Sequence, residues 1–165
     1  MLLYNIMLSF FFYGFLGWGA EVAFAAVKEK RFVNRGFLSG PICPVYGLGV
    51  TLVIHFLEPY AGNLIYLYIS AAILVTVLEW MTGFLLEKLF HHKWWDYSGM
   101  PLNLNGYVCL PFSLMWGVLC VFIVCIVHPA AYHVMRLLPV WLGIILNISL
   151  TVTLAADLYV TVMRI

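Results

Sequence analysis

The chain has 165 residues, of which 65% are hydrophobic and only 9% carry a charge. A soluble domain of this length still exposes a large share of its surface to water, so this composition excludes an ordinary soluble fold and indicates a protein of the lipid bilayer. The formal net charge of +1, with its scattered basic residues, excludes an array that reads nucleic-acid phosphates.

Apolar segments long enough to cross a bilayer recur along the chain. A membrane-spanning helix needs about 20 predominantly apolar residues, and five segments meet that requirement. We therefore predict an all-α, polytopic membrane protein with five transmembrane helices. The predicted helices cover residues 2–27, 40–57, 63–88, 106–127 and 139–162.

The first segment is predicted to be a retained helix and not a signal peptide. Residues 23–25 loosely resemble a cleavage site, but no basic residue precedes the apolar run and the basic stretch 28–31 follows it directly.

Basic residues are distributed unevenly between the connections. All of them except Arg136 follow the first, third or fifth helix. Because short, positively charged loops remain on the cytoplasmic side, we expect the amino terminus outside and the carboxyl terminus inside a bacterial inner membrane.

Carboxylates interrupt the apolar helices at Glu21, Glu79 and Glu87. Ionisable residues inside a membrane segment are rare and are functional candidates by default. Gly14, Gly17 and Glu21 share one helical face, and small residues allow helices to approach closely in lipid. The acids are therefore expected at helix contacts and not on the lipid-facing surface.

Arg35 is the expected partner of these acids, because a guanidinium group can hold a carboxylate through two parallel hydrogen bonds. Glu21, Glu87 and Asp96 are its candidate acceptors. The functional alternative to such structural pairing is a polar cavity, open to the cytoplasm, that binds an ion or a small solute. Asp157 is expected to be a helix-end acid that either snorkels to the membrane interface or pairs locally.

Two connections have unusual compositions. Residues 40–49 contain two prolines and three glycines, which favours an unwound or kinked entry to the second helix. Residues 94–106 combine interfacial aromatic residues with Asp96 and Asn103, which suit turns and caps. We expect this second connection to fold back into the helix bundle.

An internal repeat is suggested by an ungapped alignment of the two amino-terminal hairpins. The alignment pairs Gly17 with Gly83, Glu21 with Glu87, Gly40 with Gly106 and Cys43 with Cys109. It predicts one membrane domain over 1–165, with repeat 1 at about 1–57, repeat 2 at about 63–127 and an extra helix at about 139–162. Chance similarity between two membrane hairpins is the alternative.

Several of these strings also resemble a known family. Residues 32–38, 40–47, 78–83 and 94–98 are similar to the bacterial membrane family labelled putative ABC-transporter type IV, or CmpB-like. Parts of them also resemble small eukaryotic transmembrane proteins of unknown function. The resemblance implies a transport permease, and its characteristic positions would fall on Glu21, Arg35, Glu79, Glu87, Trp95, Asp96 and Tyr97.

Three functional hypotheses follow. The first is a small permease or channel-like transporter with an acidic and aromatic site near the cytoplasmic face. The second is a non-transporting structural or regulatory membrane subunit, and the third is an intramembrane enzyme that acts on lipid. No recognised catalytic string supports an enzyme, and no metal or other cofactor is expected. The candidate site comprises Glu21, Arg35, Glu79, Glu87, Trp95, Asp96, Tyr97 and Asn103.

The expected partners are the lipid bilayer, a small solute or ion of unspecified identity, and either further copies of the chain or separate subunits. The sequence contains no Gly-Lys-Ser/Thr phosphate loop. A transporter of this kind would therefore work as an oligomer or with other chains.

Overall fold

The computed structural model describes residues 1–32, 34 and 36–164, which form an all-α fold. The helices are α1 (Leu2–Glu29), α2 (Pro44–Leu57), α3 (Leu64–Phe90), α4 (Leu110–Phe122), α5 (His128–Arg136) and α6 (Val140–Arg164). A 3-10 turn covers Glu58–Tyr60, a π-helical segment covers Ile123–Val127, and the short strands β1 (Asn103–Leu104) and β2 (Val108–Cys109) form an antiparallel hairpin.

Within the described chain, four helical stretches are long and apolar enough to cross a membrane. They are Leu2–Glu29, Leu64–Phe90, Leu110–Arg136 and Val140–Arg164. Large apolar side chains along them are exposed, among them Ile65 at 74% and Val152 at 64%, as expected for surfaces that contact lipid. The predicted all-α membrane fold is therefore confirmed.

The second predicted helix is shorter than expected. Helix α2 begins at Pro44 and has 14 residues, which at 1.5 Å per residue extends about 21 Å, less than the roughly 30 Å of a bilayer core. Proline disfavours a helical conformation at the residue before it, so Pro41 and Pro44 keep residues 40–43 out of the helix. The Cys43 backbone N–H instead donates to the Gly14 carbonyl of α1, at 2.9 Å.

The fourth predicted helix is longer than expected, because it continues to Arg136 and leaves only residues 137–139 before α6. Pro129 lies inside this helix. A proline ring in a regular α-helix clashes with the carbonyl four residues earlier. The π-helical segment Ile123–Val127 lies at that position and widens the turn, so the chain passes Pro129 without ending the helix.

The chain divides into two compact units. Unit 1 comprises Met1–Thr51 and Val134–Ile165, and unit 2 comprises Leu52–His133. In unit 1, α1 packs against α6. The predicted duplicated hairpin remains a prediction.

Glycines allow the close contacts within unit 1. A Cβ atom added at Gly14 would lie 2.8 Å from Cγ1 of Ile42, and one added at Gly17 would overlap the Tyr46 side chain. The first contact joins α1 to the segment that leads into α2, and the second joins α1 to the first turn of α2. The small-residue face of α1 therefore receives side chains from residues 42–46, as the glycine spacing indicated.

Unit 2 is built on the packing of α3 against α4. The Asn63 side chain caps α3 by accepting a hydrogen bond from the Tyr66 backbone N–H at 3.1 Å. A Cβ atom at Gly117 of α4 would lie 2.8 Å from Cε2 of Tyr68 and 2.9 Å from Cβ of Ala72. Any larger residue at Gly117 would separate the two helices.

We expect Gly17→Ala to destabilise unit 1 by about 1–3 kcal/mol, because the new methyl group would displace Tyr46. The matched control is Gly19→Ala in the same helix, where a Cβ atom meets nothing within 4 Å and the change should be neutral or slightly stabilising. Thermal unfolding in lipid nanodiscs measures both variants. Equal unfolding temperatures for the two would contradict the assigned contact.

Candidate functional site

The connection between α3 and α4, residues 91–109, is named here the fold-back loop because it returns to pack on α3. The Trp95 indole N–H donates to the Tyr107 carbonyl at 2.8 Å, and the Tyr97 backbone N–H donates to the Gly106 carbonyl at 2.8 Å. The rings of Trp95 and Tyr107 lie over Gly83 of α3. A Cβ atom added at Gly83 would be 3.0 Å from Cδ1 of Tyr107 and 3.2 Å from Cζ2 of Trp95. The loop thus takes the folded-back form.

Asp96 organises the tip of this loop. Its Oδ1 atom accepts hydrogen bonds from the backbone N–H and the hydroxyl of Ser98, at 2.9 and 2.5 Å. These bonds favour the charged carboxylate and hold the pKa of Asp96 below its ordinary value. Gly106 has a φ of 74° and lies against Asp96 and Ser98, so a side chain there would be strained as well as crowded.

Asn103 also acts within the loop. Its amide nitrogen donates to the carbonyls of Ser98 and Met100, at 3.2 and 2.9 Å, and its amide oxygen accepts from the Gly106 backbone N–H at 3.2 Å. Trp95, Asp96 and Asn103 therefore shape the loop, and their polar atoms bond to other loop residues.

Glu79 is the acid that lies farthest from either end of its helix. It is half-buried on α3, and its Oε1 atom accepts a hydrogen bond from the Tyr97 hydroxyl at 3.2 Å. The Tyr97 ring stacks on Phe112 of α4, with ring centroids 4.9 Å apart and planes inclined by 25°. The fold-back loop therefore places a phenol against a carboxylate between α3 and α4.

Glu87 lies two turns further along α3 and also contacts the fold-back loop. Its Oε2 atom is 3.7 Å from Nζ of Lys93, and its carboxylate accepts a hydrogen bond from the Tyr107 hydroxyl. Lys93 also donates to the Asn105 carbonyl at 2.9 Å and lies 4.9 Å from the centroid of the Tyr107 ring. The cationic partner of Glu87 in the described chain is thus a lysine of the loop.

Glu21 belongs to unit 1. It is half-buried on α1, and the Tyr46 hydroxyl donates a short hydrogen bond to its Oε1 atom. Gly17, one turn before Glu21, leaves the space that the Tyr46 ring occupies. The irregular segment before α2 sets the start of that helix and so brings Tyr46 to this carboxylate.

Each of the three glutamates inside the apolar helices therefore accepts a hydrogen bond from a tyrosine hydroxyl: Tyr46 to Glu21, Tyr97 to Glu79 and Tyr107 to Glu87. Sequence reasoning identified Tyr97 but missed Tyr46, Tyr107 and Lys93. The signal was present, because Tyr46 and Tyr107 are each next to a glycine, Gly47 and Gly106, of the two connections with unusual compositions. Arg35, the expected partner, lies outside the described residues.

Asp157 pairs locally with Thr161 and also contacts residues that are distant along the chain. Its carboxylate accepts the backbone N–H groups of Ser39 and Gly40, at 3.3 and 2.8 Å, as well as the Thr161 hydroxyl at 3.4 Å. It binds the segment before α2 to α6, within unit 1. Sequence distance hid this contact, which joins residues 117 positions apart.

Among residues 1–32, 34 and 36–164, no group of three or more His, Cys, Asp or Glu side chains could hold a metal ion. The polar arrangement is instead one of carboxylates, phenols and a lysine. Such groups can bind a cation, accept hydrogen bonds from a solute or exchange protons.

The long apolar helices and the carboxylates between them define a multi-pass membrane protein with a polar site inside an all-α fold. Residues 8–162 match the model of the family described as "Putative ABC-transporter type IV", and the chain belongs to that family. Neither the curated proteins nor the solved structures contain a significant match to this chain.

The hydrogen bond between Tyr107 and Glu87 should change the pKa at which Tyr107 titrates. The hydrogen bond and the nearby negative charge both disfavour the tyrosinate, and they raise the pKa of Tyr107 above its ordinary value of 10.0. Glu87→Ala removes both effects, so the pKa of Tyr107 should fall toward that value. NMR titration of protein that carries ¹³Cζ-labelled tyrosine measures the pKa of Tyr107. The Tyr107→Phe variant assigns the Tyr107 signal.

Glu58→Gln is the matched charge control, because Glu58 lies in the 3-10 turn before α3. This substitution should leave the titration of Tyr107 unchanged. A Tyr107 signal that titrates at the same pH with and without the Glu87 carboxylate would show that the two side chains do not interact.

Proposed function

We propose that this protein is a small multi-pass permease or channel-like transporter in which Glu79 is the central substrate or proton-binding group. The observation that carries the proposal is the hydrogen bond between the Tyr97 hydroxyl and Glu79, at 3.2 Å, inside a helix long enough to cross the membrane. The family description supports transport as the class of activity.

The position of Glu79 along its helix supports this role. About 16 Å of helix separates Glu79 from the end of α3 at Phe90, at 1.5 Å per residue. A carboxylate at such depth costs several kcal/mol unless it is hydrogen-bonded, paired or protonated. Proteins retain acids at this depth mainly where ions, protons or polar solutes pass.

The fold-back loop supplies the polar surface that a solute would meet. Non-helical backbone is tolerated at membrane depth only where it is enclosed by protein or lines a cavity. Tyr97 donates to Glu79 and therefore holds the carboxylate in one orientation. A cation or a hydrogen-bond donor on the solute competes for the same carboxylate, and Glu87 with Lys93 forms a second polar step toward the end of α3.

We further propose that α2, together with the irregular residues before it, forms a fifth and shorter crossing beside the four long spans of the described chain. The chain then resides in a bacterial inner membrane with its amino terminus outside and its carboxyl terminus in the cytoplasm, which puts the fold-back loop on the cytoplasmic side. The support is the distribution of Lys and Arg between the connections. Because the described part of the chain has four long spans, which are few for a transport path, copies of the chain or separate subunits are proposed to complete it.

A second candidate function is a non-transporting structural or regulatory subunit. The observation in its favour is that each helical glutamate accepts a hydrogen bond from a tyrosine hydroxyl. A scaffold would use the same bonds to stabilise buried acids that fix the register of its helices. The two functions differ in one measurable respect: a scaffold conducts nothing.

We expect Glu79→Gln to lower proton flux at least tenfold and to abolish its dependence on pH between about 5 and 8, because glutamine keeps the size of the side chain but cannot bind or release a proton. Flux is measured in proteoliposomes loaded with a pH-sensitive dye under an imposed potassium potential. Empty liposomes give the background.

The matched control is Glu58→Gln, which removes an equal charge from an exposed turn and should leave flux unchanged. Size-exclusion profiles verify that each variant is folded. Identical flux in wild type and Glu79→Gln would contradict the role of Glu79. Wild-type flux equal to that of empty liposomes would contradict proton-linked transport and favour the scaffold.

A further inference from the structure

Unit 1 contains a cavity that the proposed transport site does not use. It has a volume of about 330 Å³ and lies between α1, α6 and the segment before α2. Its long walls are apolar and are formed mainly by Phe11, Phe12 and Phe15 of α1 with Leu146 and Leu150 of α6. The volume lies within the range of small-molecule sites, about 300–1,000 Å³.

Among the described residues, the polar side chains of the lining lie at one place, toward the carboxyl end of α6. Asp157 and Thr153 of α6 lie there, next to Gly40 and Pro41 of the segment before α2. A site with a long apolar wall and one acidic end matches a molecule that is itself apolar along its length and polar at one end. The geometry therefore selects an amphiphile.

The charge of Asp157 selects the head group of that amphiphile. Ion pairs between described side chains join Arg31 to Glu29 and Lys93 to Glu87, and no described cationic side chain pairs with Asp157. Its carboxylate accepts three hydrogen bonds, two at Oδ1 and one, from Gly40, at Oδ2. A carboxylate has about four acceptor positions, so one remains at Oδ2.

We propose that this cavity binds an amphiphilic cation, with its hydrocarbon tail between α1 and α6 and a primary ammonium group at Asp157. An ammonium N–H completes the fourth hydrogen bond of the carboxylate and supplies the positive charge that the described chain does not. Charge-assisted hydrogen bonds of this type are stronger than neutral ones. The proposal stands apart from transport through Glu79.

The probe for the test is a dodecylamine that carries a photoreactive diazirine in its tail, applied to the full chain in lipid nanodiscs. Mass spectrometry locates the labelled residues. We expect labelling of the α1 and α6 walls around Phe12 and Leu150, and competition by unlabelled dodecylamine but not by dodecanol or dodecanoate.

Asp157→Asn should reduce this labelling about tenfold, whereas Glu58→Gln, which removes a charge elsewhere, should leave it unchanged. Because Asp157→Asn also weakens the contact with Gly40, Leu150→Trp provides a second test that fills the cavity and keeps the carboxylate. It too should reduce labelling about tenfold.

Labelling that both variants leave at the wild-type level would overturn the proposal. Equal competition by dodecanol or dodecanoate would also overturn it, because the cavity would then accept any acyl chain of the bilayer without regard to charge.

Discussion

The cost of placing carboxylates inside apolar helices governs the structure around them. An acid in hydrocarbon needs hydrogen-bond donors, and water is absent there. The protein supplies donors from two places: Tyr97 and Tyr107 belong to the fold-back loop, and Tyr46 lies in the first turn of α2. The fold-back loop therefore folds inward because the acids of α3 require partners.

Glycines make these partnerships sterically possible. Tyr46 occupies the space beside Gly17, and Trp95 and Tyr107 lie over Gly83, each one turn before the glutamate that a tyrosine reaches. Helix association in lipid depends on such packing together with interhelical hydrogen bonds, because expulsion of water does not drive it. The spacing of glycine four residues before Glu21 and Glu87 thus has a direct structural cause.

The membrane fold and the acids could be predicted from the sequence, because apolar length and charge are local properties. The length of the fourth helix could not, and the late start of α2 was indicated only by the prolines and glycines of residues 40–49. Pro44 shortens α2, while Pro129 is accommodated by a π-helical segment, and proline alone does not distinguish these outcomes. Contacts between distant parts of the chain were missed because they depend on tertiary packing and not on local sequence. Asp157 and Gly40, for example, are 117 positions apart.

Solid-state NMR in lipid bilayers tests most directly whether tyrosine hydroxyls satisfy the helical carboxylates. Correlation spectra between glutamate Cδ and tyrosine Cζ should contain three short-range contacts, those of Glu21, Glu79 and Glu87, and Tyr97→Phe should change only the contact of Glu79. Absence of these contacts in a protein whose helices are intact would contradict the account.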